Sequence, residues 1–240
     1  MYGKLVIIVY KLKFGENQMN KFDTIIFDMD GTLLDTLDDL TDSVNYALSS
    51  YGYPVREKKE IRCFLGNGAS NLIRLSMPDK ADSLDHERCL ADFRCHYSMN
   101  MRNRTCPYDG IIELLKQLKK EGRKIAIVSN KFDKAAKGLS KFYFDGYIDV
   151  AIGESEKNLK KPAPDTILSA IEELGSTAGC TLYVGDSEVD VRAAKNAGVA
   201  CVGVTWGFRS REVLEREAAD FIINEPMELL EIIELQDDPK

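Results

Sequence analysis

Histidine is almost missing from this chain of 240 residues: there are two, His86 and His96. An imidazole base for a serine nucleophile therefore has few places to stand. No G-x-S-x-G occurs at Ser129 or Ser187, the serines that follow apolar runs, so a serine hydrolase is disfavoured. The six cysteines (Cys63, Cys89, Cys95, Cys106, Cys180, Cys201) include no CxxC pair, which points to reduced thiols in a cytoplasmic protein. His86, Cys89, Cys95 and His96 fall within one helical segment. Such a segment cannot wrap four ligands around a zinc ion, so they read as packed thiols and surface imidazoles. Basic residues are also in deficit. The 32 Lys and Arg against 39 Asp and Glu give a net charge of −7, which disfavours binding to nucleic acid or an anionic membrane. An anionic substrate would need local cations.

The N-terminal apolar run, Leu5 to Tyr10, is too short for a signal or a membrane span, and Lys11 and Lys13 follow it without a cleavage-like site. Residues 1–20 read as an extension. It is either an extra edge strand or a dispensable leader upstream of a working start at Met19.

What is present is a globular composition, 44% apolar and 30% charged, fitting one domain or a domain with an insertion. The runs "TIIF" (Thr24 to Phe27), "KIAIV" (Lys124 to Val128), "TLYV" (Thr181 to Val184) and "ACVGV" (Ala200 to Val204) are continuous and apolar, as expected of strands covered on both faces. Between them, Gly110 to Gly122, Pro164 to Gly175 and Ser187 to Gly198 carry helical periodicity and end on glycine. The expected fold is α/β, a doubly wound, Rossmann-like parallel sheet. From Asp35 to Thr105 no strand-like run appears. Leu37, Leu40, Val44, Leu48 and Tyr51 share a helical face, so residues 35–105 are expected to form a helical cap inserted into a core of 21–34 and 106–240.

Three of the strands run into polar residues: Phe27 into Asp28, Val128 into Ser129 and Asn130, Val184 into Gly185, Asp186 and Ser187. In an open parallel sheet these ends converge on one edge, where ligands bind. Asp28 and Asp30 stand too close to coexist as charges without a cation, a shared proton or chemistry that uses both. A calcium loop does not fit, because its sixth position is Leu33 and its twelfth is Asp39 rather than glycine and glutamate. "GNGASNL", Gly66 to Leu72, lacks the preceding strand of a dinucleotide site. A carboxylate is left to carry the nucleophile or base role.

"DMDGTLLDT", the Ser129–Asn130 pair, "KKPAPD" at Lys160 to Asp165 and "GDSEVDVRAAKNAG" at 185–198 resemble the four ordered motifs of the haloacid dehalogenase superfamily. The resemblance spans Lys21 to Leu235. Within the superfamily the chain looks most like the phosphoglycolate phosphatases, through "LGNGASNLI", "PYDG" and "VGDSEVDVRAAKNAGVACVGVTWGF". It implies a hydrolase of small phosphorylated metabolites, with related phosphotransferases such as β-phosphoglucomutase, pyrophosphatases and broader sugar-phosphate phosphatases as alternatives. Asp28 would be the nucleophile, forming an aspartyl-phosphate. Asp30 would be the acid and base, with a pKa lifted by burial and the adjacent carboxylate. That acid argues against dehalogenation. Mg²⁺ would be held by Asp28, the backbone carbonyl of Asp30 and Asp186, with Asp190, one helical turn on, orienting its shell. Ser129, beside a helix start, and Asn130 would bind the phosphoryl group, and Lys161, before Pro162, would stabilise the pentavalent state in preference to Lys160. Gly31 would let backbone N–H groups approach the phosphate. Gly66, Asn67 and Gly68, ahead of a helix over 70–77, would meet the organic end of the substrate.

Overall fold

The structure, a computed structural model, describes residues 22–79, 81–157 and 159–237. The expected N-terminal extension lies outside them. In chain order the strands are β1 (Thr24–Phe27), β2 (Leu34–Asp35), β3 (Cys106–Pro107), β4 (Lys124–Phe132), β5 (Val150–Glu154), β6 (Thr181–Gly185), β7 (Ala200–Val204) and β8 (Phe221–Ile223). Six of them form one parallel sheet in the order β5-β4-β1-β6-β7-β8.

Alternation of side chains builds two apolar faces from this one sheet. Ile25, Phe27, Ile125, Ile127, Leu182, Val184 and Val202 point to one side, and Ile26, Ala126, Val128, Tyr183 and Cys201 to the other. The first face is covered by α5 (Ile111–Lys120) and α10 (Glu228–Asp237), through Leu114, Leu118, Leu229 and Ile233. The second is covered by α7 (Asp165–Glu173) and α8 (Glu188–Ala197), through Ile167, Ala170, Val191 and Ala194. At about 1.5–3 kcal/mol for each fully buried aliphatic side chain, these two layers are the main stabilising contribution. The doubly wound reading therefore holds. The strands missed in the sequence, β5 and β8, are the sheet edges, where half-exposed positions break the continuous apolar run.

The interval after β2 contains α1 (Leu37–Ser50), α2 (Lys58–Phe64), α3 (Ala69–Ser76) and α4 (Ser83–Asn100). They share a third apolar cluster that includes Leu40, Val44, Leu48, Ile61, Leu72 and Phe93. Helix α2 escaped the sequence reading because Ile61 is its one buried residue. The segment leaves and returns at one place, since Leu34 and Asp35 pair antiparallel with Pro107 and Cys106. Among the described residues no helix is long and apolar enough to cross a membrane.

The chain winds one way from β1 to β4 and the other way from β6 to β7, so a crevice opens at the carboxyl ends of β1 and β6. Asp28 follows β1 and Asp186 follows β6 there.

Candidate active site

Asp28 is held as an extension of the sheet: its N–H donates to Val184 O at 2.8 Å. Its carboxylate is buried, with Oδ1 2.9 Å from Lys161 Nζ in an ion pair that lacks hydrogen-bond alignment. Lys161 also donates to Asp190 Oδ1 at 2.7 Å and to the Tyr183 hydroxyl at 2.8 Å. Burial alone would lower the Lys161 pKa, but Asp190 and Asp28 outweigh it and raise the value. Asp190 is saturated by protein donors. Its Oδ1 accepts from Lys161 and Tyr183, and its Oδ2 from Ser187 N at 3.0 Å and Ser187 Oγ at 2.5 Å. Burial raises its pKa, yet Lys161 and these hydrogen bonds bring it below the ordinary value. Burial, with Asp190 and Asp30 adding to it, raises Asp28 to about 7 against the pull of Lys161.

Asp186 is the third buried carboxylate, and the expectation that it shares a helix face with Asp190 is corrected. It sits in the turn before α8, whose N-cap is Ser187, while Asp190 closes the capping box. Asp186 Oδ2 accepts from Phe208 N at 2.6 Å, and Thr32 Oγ1 lies 3.3 Å from its Oδ1. Two glycines make room for it. A Cβ on Gly31 would fall 2.6 Å from Asp186 Oδ2, and one on Gly207 would fall 2.3 Å from Asp186 Cβ. Gly31 thus departs from its expected role: with φ +86 it forms a turn in which its own N–H donates to Leu34 O at 2.9 Å, and its missing side chain admits a carboxylate. Burial and the charges of Asp190 and Asp28 push Asp186 well above the ordinary carboxylate range.

Asp28, Asp186 and Asp190 bring ligand atoms within 4.8 Å of one another. Three buried carboxylates with one lysine between them form an oxygen-rich, negatively charged site that fits a hard divalent cation. Each Asp190 oxygen already accepts from two protein donors, whereas each Asp186 oxygen accepts from one and Asp28 Oδ1 meets only the Lys161 ammonium, so the lone pairs left for a cation are chiefly those of Asp28 and Asp186.

Asp30 stands apart from that cluster. Thr36 Oγ1 donates to its Oδ1 at 2.7 Å, and Lys131 Nζ lies 3.1 Å from the same oxygen, so both partners fall on Oδ1 of a residue that lines the cavity. The sequence offered no sign of this cation in direct contact with Asp30. Lys131 is itself buried and donates to the Tyr97 hydroxyl at 2.8 Å, its ammonium 4.3 Å from that ring's centroid. Burial raises the Tyr97 phenol to about 12, so it keeps its proton at neutral pH. Neither residue was among the sequence candidates. The cause is β4, which continues through Ser129 and Asn130 to Phe132, so that helix α6 (Asp133–Phe144) starts well after Ser129. The helix start expected behind Ser129 is absent. In an extended strand residues 129 and 131 fall on one face, and that spacing was the available signal.

Ser129 Oγ accepts from Lys131 N at 3.3 Å, leaving its O–H to donate. Asn130 differs from its expected role, because backbone groups occupy its amide: Nδ2 donates to Gly66 O and Lys161 O, both at 2.9 Å, and Oδ1 accepts from Lys161 N at 2.8 Å. It ties the Gly66 loop to the lysine segment. Gly66 and Gly68 line the cavity with Asp28, Asp30, Lys131 and Lys161, whereas Asn67 does not, and its carbonyl accepts from Lys160 Nζ at 3.0 Å. Lys160 and Lys161 are thereby separated, one on the helical segment and one among the carboxylates. Reciprocal arginines hold the two parts together. Arg62 of α2 donates to Gly207 O and Phe208 O, and Arg209 donates to Arg62 O and Leu65 O. The cavity between them, open on one side, measures about 60 Å³. His86 and His96, by contrast, are tied to Ser70 O and Ser43 Oγ within the helical segment.

A parallel sheet whose switch point presents buried carboxylates and a lysine is the catalytic core of a Rossmann-like α/β enzyme. The chain matches the model of the family described as haloacid dehalogenase-like hydrolase over residues 25–204, and it belongs to that family. It is similar to a phosphoglycolate phosphatase of Mesorhizobium japonicum, 33% identical over 82% of this chain and 89% of that one. A relative from Caldanaerobacter subterraneus subsp. tengcongensis, provisionally named a pyrophosphatase, is 33% identical over 89% and 95% of the two chains. A crystal structure of a protein assigned as a phosphoglycolate phosphatase, from Lactobacillus delbrueckii subsp. bulgaricus, superposes with a TM-score of 0.84 at 33% identity, covering 89% of this chain and 99% of that one. The chain is accordingly an enzyme, a phosphatase of the phosphoglycolate-phosphatase-like kind.

Proposed function

We propose that the protein is a Mg²⁺-dependent phosphomonoester hydrolase that acts on phosphoglycolate through an aspartyl-phosphate on Asp28. The observation that carries this reading is the pair of contrasting carboxylates at one strand end: Asp28 ion-paired with Lys161 among the acidic cluster, and Asp30 outside it, lining the cavity with Thr36 and Lys131 both on its Oδ1. A carboxylate oxygen of Asp28 attacks phosphorus as the bond from phosphorus to the ester oxygen breaks. Asp30 gives its proton to that leaving oxygen. It then takes a proton from water, which attacks phosphorus, breaks the bond to Asp28 and releases inorganic phosphate. Lys161 offsets the charge that builds on the transferring group, and Ser129 donates to its oxygens. Mg²⁺ at Asp28, the backbone carbonyl of Asp30 and Asp186 would supply Lewis-acid neutralisation of phosphoryl oxygens. Residues 35–105 act as the cap that closes the site against bulk water and leaves the rest of the substrate little space.

The test is phosphate release from phosphoglycolate, pyrophosphate and hexose phosphates side by side, with Mg²⁺ and with excess chelator. Phosphoglycolate turned over fastest, and only with the cation, is the expected result. Preference for pyrophosphate, the activity in one relative's name, would replace the substrate; full activity in chelator would overturn the metal.

A further inference from the structure

We propose that Lys131 and Tyr97 form the recognition site for a carboxylate on the leaving group, and so set the enzyme's preference for phosphoglycolate over neutral phosphoesters. The proposal rests on the hydrolase reading above and assigns the part of that site which sequence reasoning had given to the Gly66–Gly68 loop. Its starting point is the acid. Asp30 must touch the leaving oxygen to protonate it, and it can do so only through Oδ2, since Lys131 and Thr36 both converge on Oδ1. Whatever is attached to the leaving oxygen therefore lies beside Asp30, where Lys131 and Tyr97 line the cavity. In phosphoglycolate one methylene separates the leaving oxygen from the carboxylate, so the carboxylate reaches no farther than these neighbours.

The donors there are not exhausted. An ammonium has three N–H groups, and Lys131 places one towards Asp30 Oδ1 and one on the Tyr97 hydroxyl, leaving the third for the cavity. Tyr97 accepts from Lys131 and so keeps its own O–H to donate. Two donors, one of them cationic, face a space otherwise walled by Leu40, Leu65, Leu72 and Phe93. That wall excludes water and strengthens a charge-assisted hydrogen bond. The other cations near the cavity are committed elsewhere: Lys161 to Asp28 and Asp190, Arg209 to Glu188 and to carbonyls of the helical segment. The Gly66–Gly68 loop offers the weaker case, because Gly66 and Gly68 bring no cationic side chain to the cavity.

The experiment compares kcat/KM for phosphoglycolate with that for 2-hydroxyethyl phosphate, which carries a hydroxyl in place of the carboxylate, in wild type, Lys131→Met and Tyr97→Phe. Lys131→Met is expected to lower the preference ratio by about 10- to 100-fold, chiefly through KM for phosphoglycolate, the worth of one charge-assisted hydrogen bond. Tyr97→Phe keeps the ring and should lower the ratio by about 3- to 10-fold. Loss of rate on both esters with the ratio intact would mean that the pair only positions Asp30, and would overturn the proposal. If Lys131→Met does not fold, the ratio in Tyr97→Phe decides alone. A wild type that prefers phosphoglycolate while both variants keep the ratio sinks this inference and spares the proposed function. A wild type that cleaves pyrophosphate and neither ester removes both.

Discussion

Stripped of divalent cation, the enzyme should lose stability as pH rises from 5 to 7.5, opposite to the behaviour expected of ordinary surface carboxylates. The reason is Asp28, whose pKa is raised from 3.8 to about 7, chiefly by burial. Between those values the folded state holds a proton that the unfolded state has released, so stability is fully present below the unfolded value and is lost as pH climbs through the folded one. At about 1.4 kcal/mol per pH unit, the whole span is worth ~4 kcal/mol, more than half of which disappears between pH 5 and 7.5. Asp186, also raised, acts in the same direction, while Asp190, which is lowered, contributes below this window. For a chain of this size the Asp28 contribution alone corresponds to roughly 5–10 °C in Tm.

The assay is thermal unfolding in chelator across that pH range, for wild type and Asp28→Asn, whose amide does not titrate there. Wild type should fall relative to the variant, and Mg²⁺ should stabilise wild type most at pH 7.5, where its ligands need no deprotonation. A chelated wild type whose Tm tracks that of Asp28→Asn across the range would refute the reasoning.

Other perturbations separate the roles at the site. Asp28→Asn should cut kcat by at least ~10³-fold, and Asp30→Asn by on the order of 10²–10⁴-fold with phosphate binding retained; near-normal turnover in the first would exclude covalent catalysis there. Gly31→Ala should weaken cation binding by more than ~10-fold, measured by calorimetry, because its Cβ would sit 2.6 Å from Asp186 Oδ2 on a backbone with φ +86. Arg62→Met removes hydrogen bonds from the helical segment to Gly207 O and Phe208 O and should raise KM by about 5- to 30-fold with a smaller change in kcat; an unchanged KM would mean that this clasp does not hold the closed form.

Sequence reasoning reached the residues that follow apolar strands and fell short where backbone geometry decides. Asp28 and Asp186 were legible because "TIIF" and "TLYV" are central strands with both faces buried, and a strand end in a parallel sheet has a fixed address. Lys131 was not, since "SNK" carries no apolar signal that β4 continues past Val128, and reading a helix there turned the lysine away from the site. Asn130 and Gly31 were located, but the structural part each plays was not legible, for a different reason. A side-chain amide can serve a ligand or two backbone segments, and a glycine can expose its N–H or vacate a volume. Only the positions of Gly66, Lys161 and Asp186 decide between these.

The same geometry explains how a chain of net charge −7 can take an anionic substrate. Four carboxyl groups (Asp28, Asp30, Asp186, Asp190) and two ammonium groups (Lys131, Lys161) meet at the crevice, an excess of acidic groups that a divalent cation offsets. Attraction is therefore local and conditional rather than a property of the surface. Without the cation the site repels phosphate and raises the pKa of its own nucleophile; with it, the two lysines are the charges left to meet the two ends of the substrate. Lys161 lies beside Asp28, where the phosphoryl group is transferred, and Lys131 beside Asp30, where the leaving group departs. On the proposed function the division of labour between the paired aspartates would be repeated in the lysines, and a substrate with an anion at each end is expected to be taken in preference to a neutral sugar.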